Sequence, residues 1–455
     1  MVKHNYATDL MSKKKLHLYK KYYSRNYPGK ILDNVDSNPV STKGSFREVL
    51  KYLVDQKYIF LTEDGFCHLL PKGVFIQEVI SKKAQEMLEA EGMLHYRFST
   101  IFPETKDIYK NLTSKFKKQL FEIVAENKKI GYLKYASDPL LFSYFSNRKV
   151  YTTSGIYSPD FCFRYFRTGE MKPLIQPKEF FITDFHCFCE PKQFETYVKF
   201  ALVNKGAVEL FVKPEDWHLN IDVNIEFFDK NKISIIDMLD KISVNAVINV
   251  TSKKTHYYSI QNQYIVEYFL GNETQLANLQ FDEENGKAFR IESYQSGYPV
   301  NVIHGSLFGR SEKILALVFG KQIEESKKNL TRPILPLWLS PIIIRIIPIK
   351  ENISISTYIK QFEQKLIALR SRYEIDTREL SLSRKILDAE KDWIPFQIMI
   401  GEKELKNSTL SIRDRSLGNV YPLSLDNFIS KLANLDVGNI STQNTPSIFR
   451  GNDFY

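Results

Sequence analysis

The stretch "FITDFHCFC", residues 181–189, sets one acid, one histidine and two cysteines among four bulky apolar residues. Alternating as a buried strand does, it places Asp184 and His186 on one face and Phe185 and Cys187 on the other. A carboxylate and an imidazole side by side in an apolar setting are costly to bury without partners. The pattern suits a metal and substrate site, or equally a plain antiparallel strand with a satisfied histidine. Three more side chains of suitable chemistry stand out. Arg164 lies in "FCFRYFRTGE", a strand running into a turn at Thr168-Gly169. His304 lies in "PVNVIHGSLFGRSEKILALVFG", read as a strand, a Gly-rich turn and an apolar helix, and Asp138 lies in "LKYASDPLLFSYF". The sequence contains no Gly-rich phosphate loop, nucleophile elbow or paired-cysteine zinc motif.

These residues need a large scaffold, and the chain can supply one. Its 455 residues are 43% hydrophobic, with 32 Phe and 26 Tyr, enough for two or three cored domains. The net charge of +10 suits a polyanionic partner. Four cysteines (Cys67, Cys162, Cys187, Cys189) in so long a chain are no disulfide scaffold and point to a reducing, cytoplasmic setting. The N-terminus has no apolar core of a secretory signal. The most apolar run, residues 334–349, is broken by three prolines and Arg345, too short and interrupted for a membrane span. A soluble protein is expected.

Residues 1–30 carry eight Lys/Arg against one acid, Asp9, and read as a basic arm, either a solvated tail or a nucleic-acid contact. "FREVLKYLVDQ" has helical spacing, and "KYIFLTEDGFCHLL" reads as a hairpin turning at Asp64-Gly65. A long amphipathic helix follows from "PKGVFIQEVISKKAQEMLEAEGM", and then "HYRFSTIFP", a strand closing on Pro103. "GKQIEESKKNLTRP" has no apolar face and reads as a linker. Beyond it, strands such as "IIIRIIPI", "FQIMIGEKEL" and "STLSIRDRS" alternate with helical patterns, which argues for a small α/β domain with a mostly parallel sheet. The tail after residue 435 is polar and reads as frayed.

In order, "LLPKGVFIQEVI", "IFP", "LKYASDPLLF", "FRYFRTGE", "EFFITDFHCFCEP", "PVNVIHGSLFGRSEKILA" and "LPLWLSPIIIRIIPI" resemble successive blocks of an archaeal-type threonyl-tRNA synthetase, over roughly residues 66–430. That resemblance implies a class II aminoacyl-tRNA synthetase catalytic domain, an antiparallel sheet flanked by helices, followed by a smaller α/β anticodon-binding domain. The expected division is an N-terminal extension at 1–65, a catalytic-type block at 66–325, an anticodon-binding-like block at 331–435 and a tail at 436–455. The family holds ATP, with Mg²⁺, bent on the sheet by arginines. It reads threonine with a zinc ion that coordinates both amino and hydroxyl groups, a contact valine cannot make. By resemblance His186 and His304 are the zinc histidines, Asp184 meets the substrate amine, and Arg164 contacts phosphate.

The resemblance weakens where the chemistry is done. Asp138 stands at the zinc cysteine, giving an Asp-His-His set. Phe166 replaces a glutamate, Gln176 and Lys178 replace paired arginines, and Lys313 replaces the arginine of the third motif. The substrate strand becomes Tyr264-Ile265-Val266-Glu267, and Gln275 replaces another arginine. Two readings follow: an eroded tRNA-binding homologue with weak or no aminoacylation of its own, or an active threonine–tRNA ligase chain with Arg164 and Lys313 on phosphate. In the C-terminal block Lys403, Arg413 and Arg415 fall near strand ends where anticodon bases would meet them, while Leu387 stands where a basic residue is usual. The resemblance also implies a homodimer, or a heterodimer with a related synthetase. The residues before "HLLPKG" leave no room for the family's editing domain.

Overall fold

The computed structural model describes residues 17–22, 46–62, 66–103, 117–152, 155–167, 169–252, 256–269, 271–350 and 352–435. Most of the basic arm, the Asp64-Gly65 turn, Thr168 and the tail after residue 435 lie outside the described residues. The described chain packs as two compact units that interleave in sequence. One gathers the described residues up to Phe46 with Leu61–His68 and Ile80–Leu317; the other gathers Arg47–Phe60, Leu69–Val79 and the chain from Val318 on.

The first unit is built on a nine-stranded sheet. Its spatial order is His17–Tyr22, Ala246–Thr251, Trp217–Asn224, Tyr258–Phe269, Asn272–Asp282, Asn301–Arg310, Glu179–Cys189, Gly155–Phe163 and Leu94–His95. All neighbours are antiparallel except two pairs, Trp217–Asn224 with Ala246–Thr251 and Leu94–His95 with Gly155–Phe163. The first parallel pair is joined by helix Ile225–Ile242, as a parallel crossover requires. That helix starts where the Asn224 side chain accepts from the backbone N–H groups of Glu226 and Phe227.

The Glu179–Cys189 strand sits between two long antiparallel partners, so neither edge is open and most of its residues are buried. Its Phe185 ring packs 5.2 Å from Phe200 of helix Phe194–Val208. The opposite strand accommodates that ring only because residue 305 is glycine: a Cβ there would lie 2.5 Å from Phe185.

Three expectations change. "HYRFSTIFP" forms two short strands, Leu94–His95 and Ile101–Phe102, because the segment passes from the large sheet to a separate three-stranded one. The expected turn after His304 is absent: Gly305 and Gly309 lie within the Asn301–Arg310 strand, and Gly309 takes a φ of 55° where a Cβ would meet the Leu276 carbonyl. The expected linker is helical, since Ser311–Asn329 runs through "GKQIEESKKN". Its Lys, Glu and Gln residues are good helix formers, and an exposed helix end needs no apolar face.

In the second unit a five-stranded sheet has the order Tyr373–Ile375, Ile344–Pro348, Phe396–Ile400, Thr409–Asp414, Asn419–Ser424. The first three are mutually parallel and the last two antiparallel, so the sheet is mixed rather than mostly parallel. The fifth strand, "NVYPLS", escaped sequence reading because Pro422 and its exposed residues mark an edge strand. The core includes Ile344, Ile346, Phe362, Ile398, Ile412 and Phe428. Within it Arg345 is buried and paired with Glu374 and, at 2.6 Å, with Asp392, whose other oxygen accepts from Lys72 at 2.8 Å.

Candidate functional site

One face of the Glu179–Cys189 strand lines a cleft of about 390 Å³. Phe180, Ile182, Asp184 and His186 alternate along it, a run of about 20 Å at ~3.3 Å per residue. Across the ladder His186 faces His304 and Asp184 faces Ser306. One strand further, Gln280 faces His304 and Asn278 faces Ser306. The cleft therefore has two chemically different ends.

At one end Asp138, His186 and His304 converge, with one ligating atom from each lying within 4.8 Å of the others. Asp138 opens helix Asp138–Phe145, and Pro139 in the first turn favours helix initiation there. Its Oδ1 lies 2.9 Å from His304 Nδ1 and 3.4 Å from His186 Nε2. The 2.9 Å contact is close but misaligned, leaving His304 Nδ1 buried without a hydrogen bond. His304 Nε2 lies 2.9 Å from Asp282 Oδ2. The fully buried Asp282 also accepts from the backbone of Glu284 and Asn285 and from the Asn285 amide.

Burial opposes the charge on Asp138, but the two histidines more than offset it and hold the carboxyl well below its usual range. Burial lowers the pKa of His186, whereas Asp138 and Asp282 overcome burial and raise that of His304. The donor set fits zinc: carboxylate oxygen and imidazole nitrogen are ordinary ligands at ~2.0–2.2 Å, and three protein ligands leave a position for water or substrate. The misaligned, buried Nδ1 beside a carboxylate is the feature a metal would complete, and Asp282 is the outer carboxylate such histidines carry.

The other end is cationic. Arg164, just past strand Gly155–Phe163, donates Nε to the Tyr135 carbonyl at 3.2 Å. Lys313 donates Nζ to the Gln275 carbonyl at 2.7 Å. Burial, then Arg310 and Arg164, push the Lys313 ammonium down to about 7. Arg310 donates to the Ile175 carbonyl at 3.2 Å. Its guanidinium lies 4.2 Å over the Phe180 ring and 5.8 Å from that of Phe166. Burial and then Arg164 lower its pKa to about 10. Two acids answer these cations through space: Glu312 opposes the lowering of Arg310, and Asp184 interacts with Arg164. Between the two ends, burial and the charge of Asp138 push Asp184 up to about 7, against the pull of Arg164, Lys134 and His304.

All six cleft residues singled out from sequence (Asp138, Arg164, Asp184, His186, His304, Lys313) thus line one cleft. The Tyr264–Glu267 segment does not: Tyr264 Oη donates to the Ala201 carbonyl, Val266 is buried in the core, and Glu267 accepts from Gly271. Gln261, earlier on that strand, lines the cleft instead, with Tyr257, Gln275, Asn278 and Gln280. The polar alternation Asn278, Gln280, Asp282 in "NLQFD" was the available signal. Gln176 is not among the lining residues. In the C-terminal unit Lys403 is exposed and Arg413 is half-buried, 3.7 Å from Glu390. Arg415 departs from expectation. It is 5% exposed and donates to Glu390 at 2.7 Å and to the Pro333 carbonyl at 2.6 Å, so its guanidinium is engaged inside the protein rather than offered to nucleic acid.

Comparison with known proteins agrees with this architecture. The family described as "Anticodon binding domain" matches residues 344–435. The chain is 27% identical over 438 residues to a threonine–tRNA ligase of Nitrosopumilus maritimus, covering 93% of this chain and 68% of that one. It is 29% identical over 337 residues to that of Nanoarchaeum equitans, covering 71% and 51%. It thus spans about half to two thirds of the length of these relatives. Among solved structures, the RNA binding domain of threonyl-tRNA synthetase from Cryptosporidium parvum superposes with a TM-score of 0.70 at 19% identity, over 85% of this chain and 98% of that one. A prolyl-tRNA synthetase from Cryptosporidium parvum gives 0.64 at 14% identity, over 84% and 75%. Among the described residues no helix is long and apolar enough to cross a membrane. The chain thus has a class II synthetase fold with a C-terminal anticodon-binding domain and is similar, at modest identity, to archaeal threonine–tRNA ligases.

Proposed function

We propose that the chain is a cytoplasmic tRNA-binding relative of threonyl-tRNA synthetase that supports tRNA aminoacylation as a partner and has little or no adenylating activity of its own. Its blocks are a catalytic-type domain at 66–325 and an anticodon-binding domain at 331–435. The observation that carries this reading is the nucleotide end of the cleft. Phe166, 6% exposed and 5.8 Å from the Arg310 guanidinium rather than lining the cleft, is an apolar ring where the resemblance expects a glutamate acceptor, and Lys313 spends a hydrogen bond on the Gln275 carbonyl. A lysine is a point charge where a planar fork would grip phosphate in two places. Each preorganised donor lost from such a site costs ~2.7–4 kcal/mol of transition-state stabilisation. Two losses suffice to suppress turnover at least ~10³-fold. Threonine-dependent ATP–pyrophosphate exchange by the chain alone is the test. A rate near that of an ordinary synthetase contradicts the reading.

A second reading is favoured by the metal end: an active threonine–tRNA ligase chain using ATP and Mg²⁺, with editing supplied by another chain. Asp138, His186 and His304 would hold zinc, whose role is to bind the amino and hydroxyl groups of threonine and so reject valine. Asp184 would accept from the substrate ammonium, while Arg164 and Lys313 would neutralise phosphate. In both readings tRNA contacts fall to Lys403 and Arg413, and the protein works as a homodimer or with a related synthetase.

A further inference from the structure

In the unit built on the large sheet, two short strands, Lys149–Val150 and Glu292–Ser293, pair in parallel and lead into an exposed aromatic stack. Tyr151 follows the first strand and Tyr294 the second, and their rings stack with centroids 4.8 Å apart and planes inclined by 28°. Both stay largely in solvent, Tyr151 at 64% exposure and Tyr294 at 56%. Tyr298, whose carbonyl accepts from the Ser293 backbone at 2.9 Å, is 67% exposed. None of the three lines the cleft.

The backbone beneath the stack is fixed. Glu190, just past the end of strand Glu179–Cys189, accepts from the hydroxyls of Ser293, of Thr152 at 3.3 Å and of Ser296 at 2.7 Å. The Gln295 side chain accepts from the Thr152 backbone at 3.2 Å, and the Tyr294 backbone donates to the Val150 carbonyl at 2.9 Å. Neighbours of both tyrosines are thus tied to one carboxylate, which leaves little ordering to be lost on binding.

Rings and charge together set what such a surface takes up. Tyrosine faces left in water favour a flat ligand that covers them. The segments that build the surface carry Arg148, Lys149, Lys192 and Arg290, all exposed, against Glu190 and Glu292. Glu292 faces Lys149 in the strand register and Glu190 is engaged by hydroxyls, so the balance is positive. The Arg148 guanidinium lies 4.9 Å over the ring of Tyr144, itself 49% exposed. Arg148 and Tyr151 are three residues apart, about 10 Å at ~3.3 Å per residue, a span of a few nucleotides.

We propose that the Tyr151–Tyr294 stack, flanked by Tyr298, holds unpaired bases of a single-stranded RNA segment, with Arg148 and Lys149 on its phosphates. Bases stack on aromatic rings with little regard to sequence, whereas a duplex hides its base faces. This rests on the reading of the chain as tRNA-binding, and it adds an RNA contact apart from both the cleft and the anticodon-binding domain.

Fluorescence anisotropy of the full chain with an unstructured oligoribonucleotide of about 12 nucleotides, and with its blunt duplex, tests it. The single strand should bind about 10-fold or more tighter than the duplex. Tyr151→Ala with Tyr294→Ala should weaken the strand about 10- to 100-fold, and the loss should persist when Lys403→Ala and Arg413→Ala are added. Tyr151→Phe with Tyr294→Phe should keep affinity within about 3-fold, because the ring and not the hydroxyl stacks. Lys149→Ala should reduce the salt dependence by about one phosphate contact. A thermal melt reports the fold; should the double alanine variant fail it, Tyr151→Ala alone should cost about 10-fold.

Equal binding of strand and duplex overturns the proposal, as does unchanged affinity in a folded alanine variant. A loss with phenylalanine as large as with alanine does so too, and so does a proline-rich peptide held by these tyrosines while RNA binding ignores their substitution. Intact tRNA binding with no effect of the tyrosine substitutions on any RNA overturns this inference alone, whereas absence of tRNA binding by the unmodified chain overturns the reading on which it rests.

Discussion

Replacing Asp282 by asparagine isolates the part of the metal end that the sequence did not announce. Asp282 is fully buried, and its Oδ2 lies 2.9 Å from His304 Nε2. A neutral His304 donating Nε2–H there would turn a bare Nδ1 toward Asp138, the tautomer a metal ligand needs. Asp282→Asn keeps the shape and an acceptor for the Glu284 and Asn285 amides, yet removes the charge that fixes the tautomer and raises ligand basicity. Loss of such an outer carboxylate typically costs 10- to 100-fold in metal affinity, or about 1.4–2.7 kcal/mol. Zinc competition against a chromophoric chelator reads the effect without any turnover, and a thermal melt checks the fold. A folded Asp282→Asn variant with unchanged zinc affinity, or an unmodified chain that takes up no zinc, would refute the reasoning.

Three further outcomes follow from the packing and charges. Glu312 is pushed up to about 7 by burial, while the unfolded chain releases that proton near ~4.3. Between those values the native state binds more protons, so stability falls as pH rises, and Glu312→Gln should flatten that slope in denaturant melts. Asp392→Ala strips Arg345 and Lys72 of a shared partner and should cost about 3–5 kcal/mol by chemical denaturation. Gly305→Ala forces a Cβ to 2.5 Å from Phe185 and should cost about 1–3 kcal/mol, with a matching loss of zinc affinity because His304 is the adjacent residue.

Much of the scaffold was legible because the elements are long and periodic. The Glu179–Cys189 strand alternates cleanly, and its cleft face could be read as Asp184 and His186. Asp138 was different. Nothing local marks a helix-opening aspartate as a partner of histidines 48 and 166 residues away, and only the order of blocks brought the three together. Arg310 was passed over for a physical reason. Its place in the cleft is set by Phe180, 4.2 Å away, a contact between distant segments that no periodicity encodes. Asp282 was hidden likewise, since an acid before a short helix reads as a cap, and here it caps the turn and holds His304. Arg415 erred in the opposite direction: a cation at a strand end looks exposed until Glu390 and the Pro333 carbonyl are seen to enclose it.

The most direct test of the central claim is threonine-dependent ATP–pyrophosphate exchange by the full chain alone, beside an archaeal threonyl-tRNA synthetase under the same conditions. The account predicts a rate at least ~10³-fold lower, from the loss of two or more preorganised donors, together with tRNA binding that weakens steeply as salt rises. Exchange within an order of magnitude of the comparison enzyme would contradict it and establish the cleft around Asp184 as a working active site.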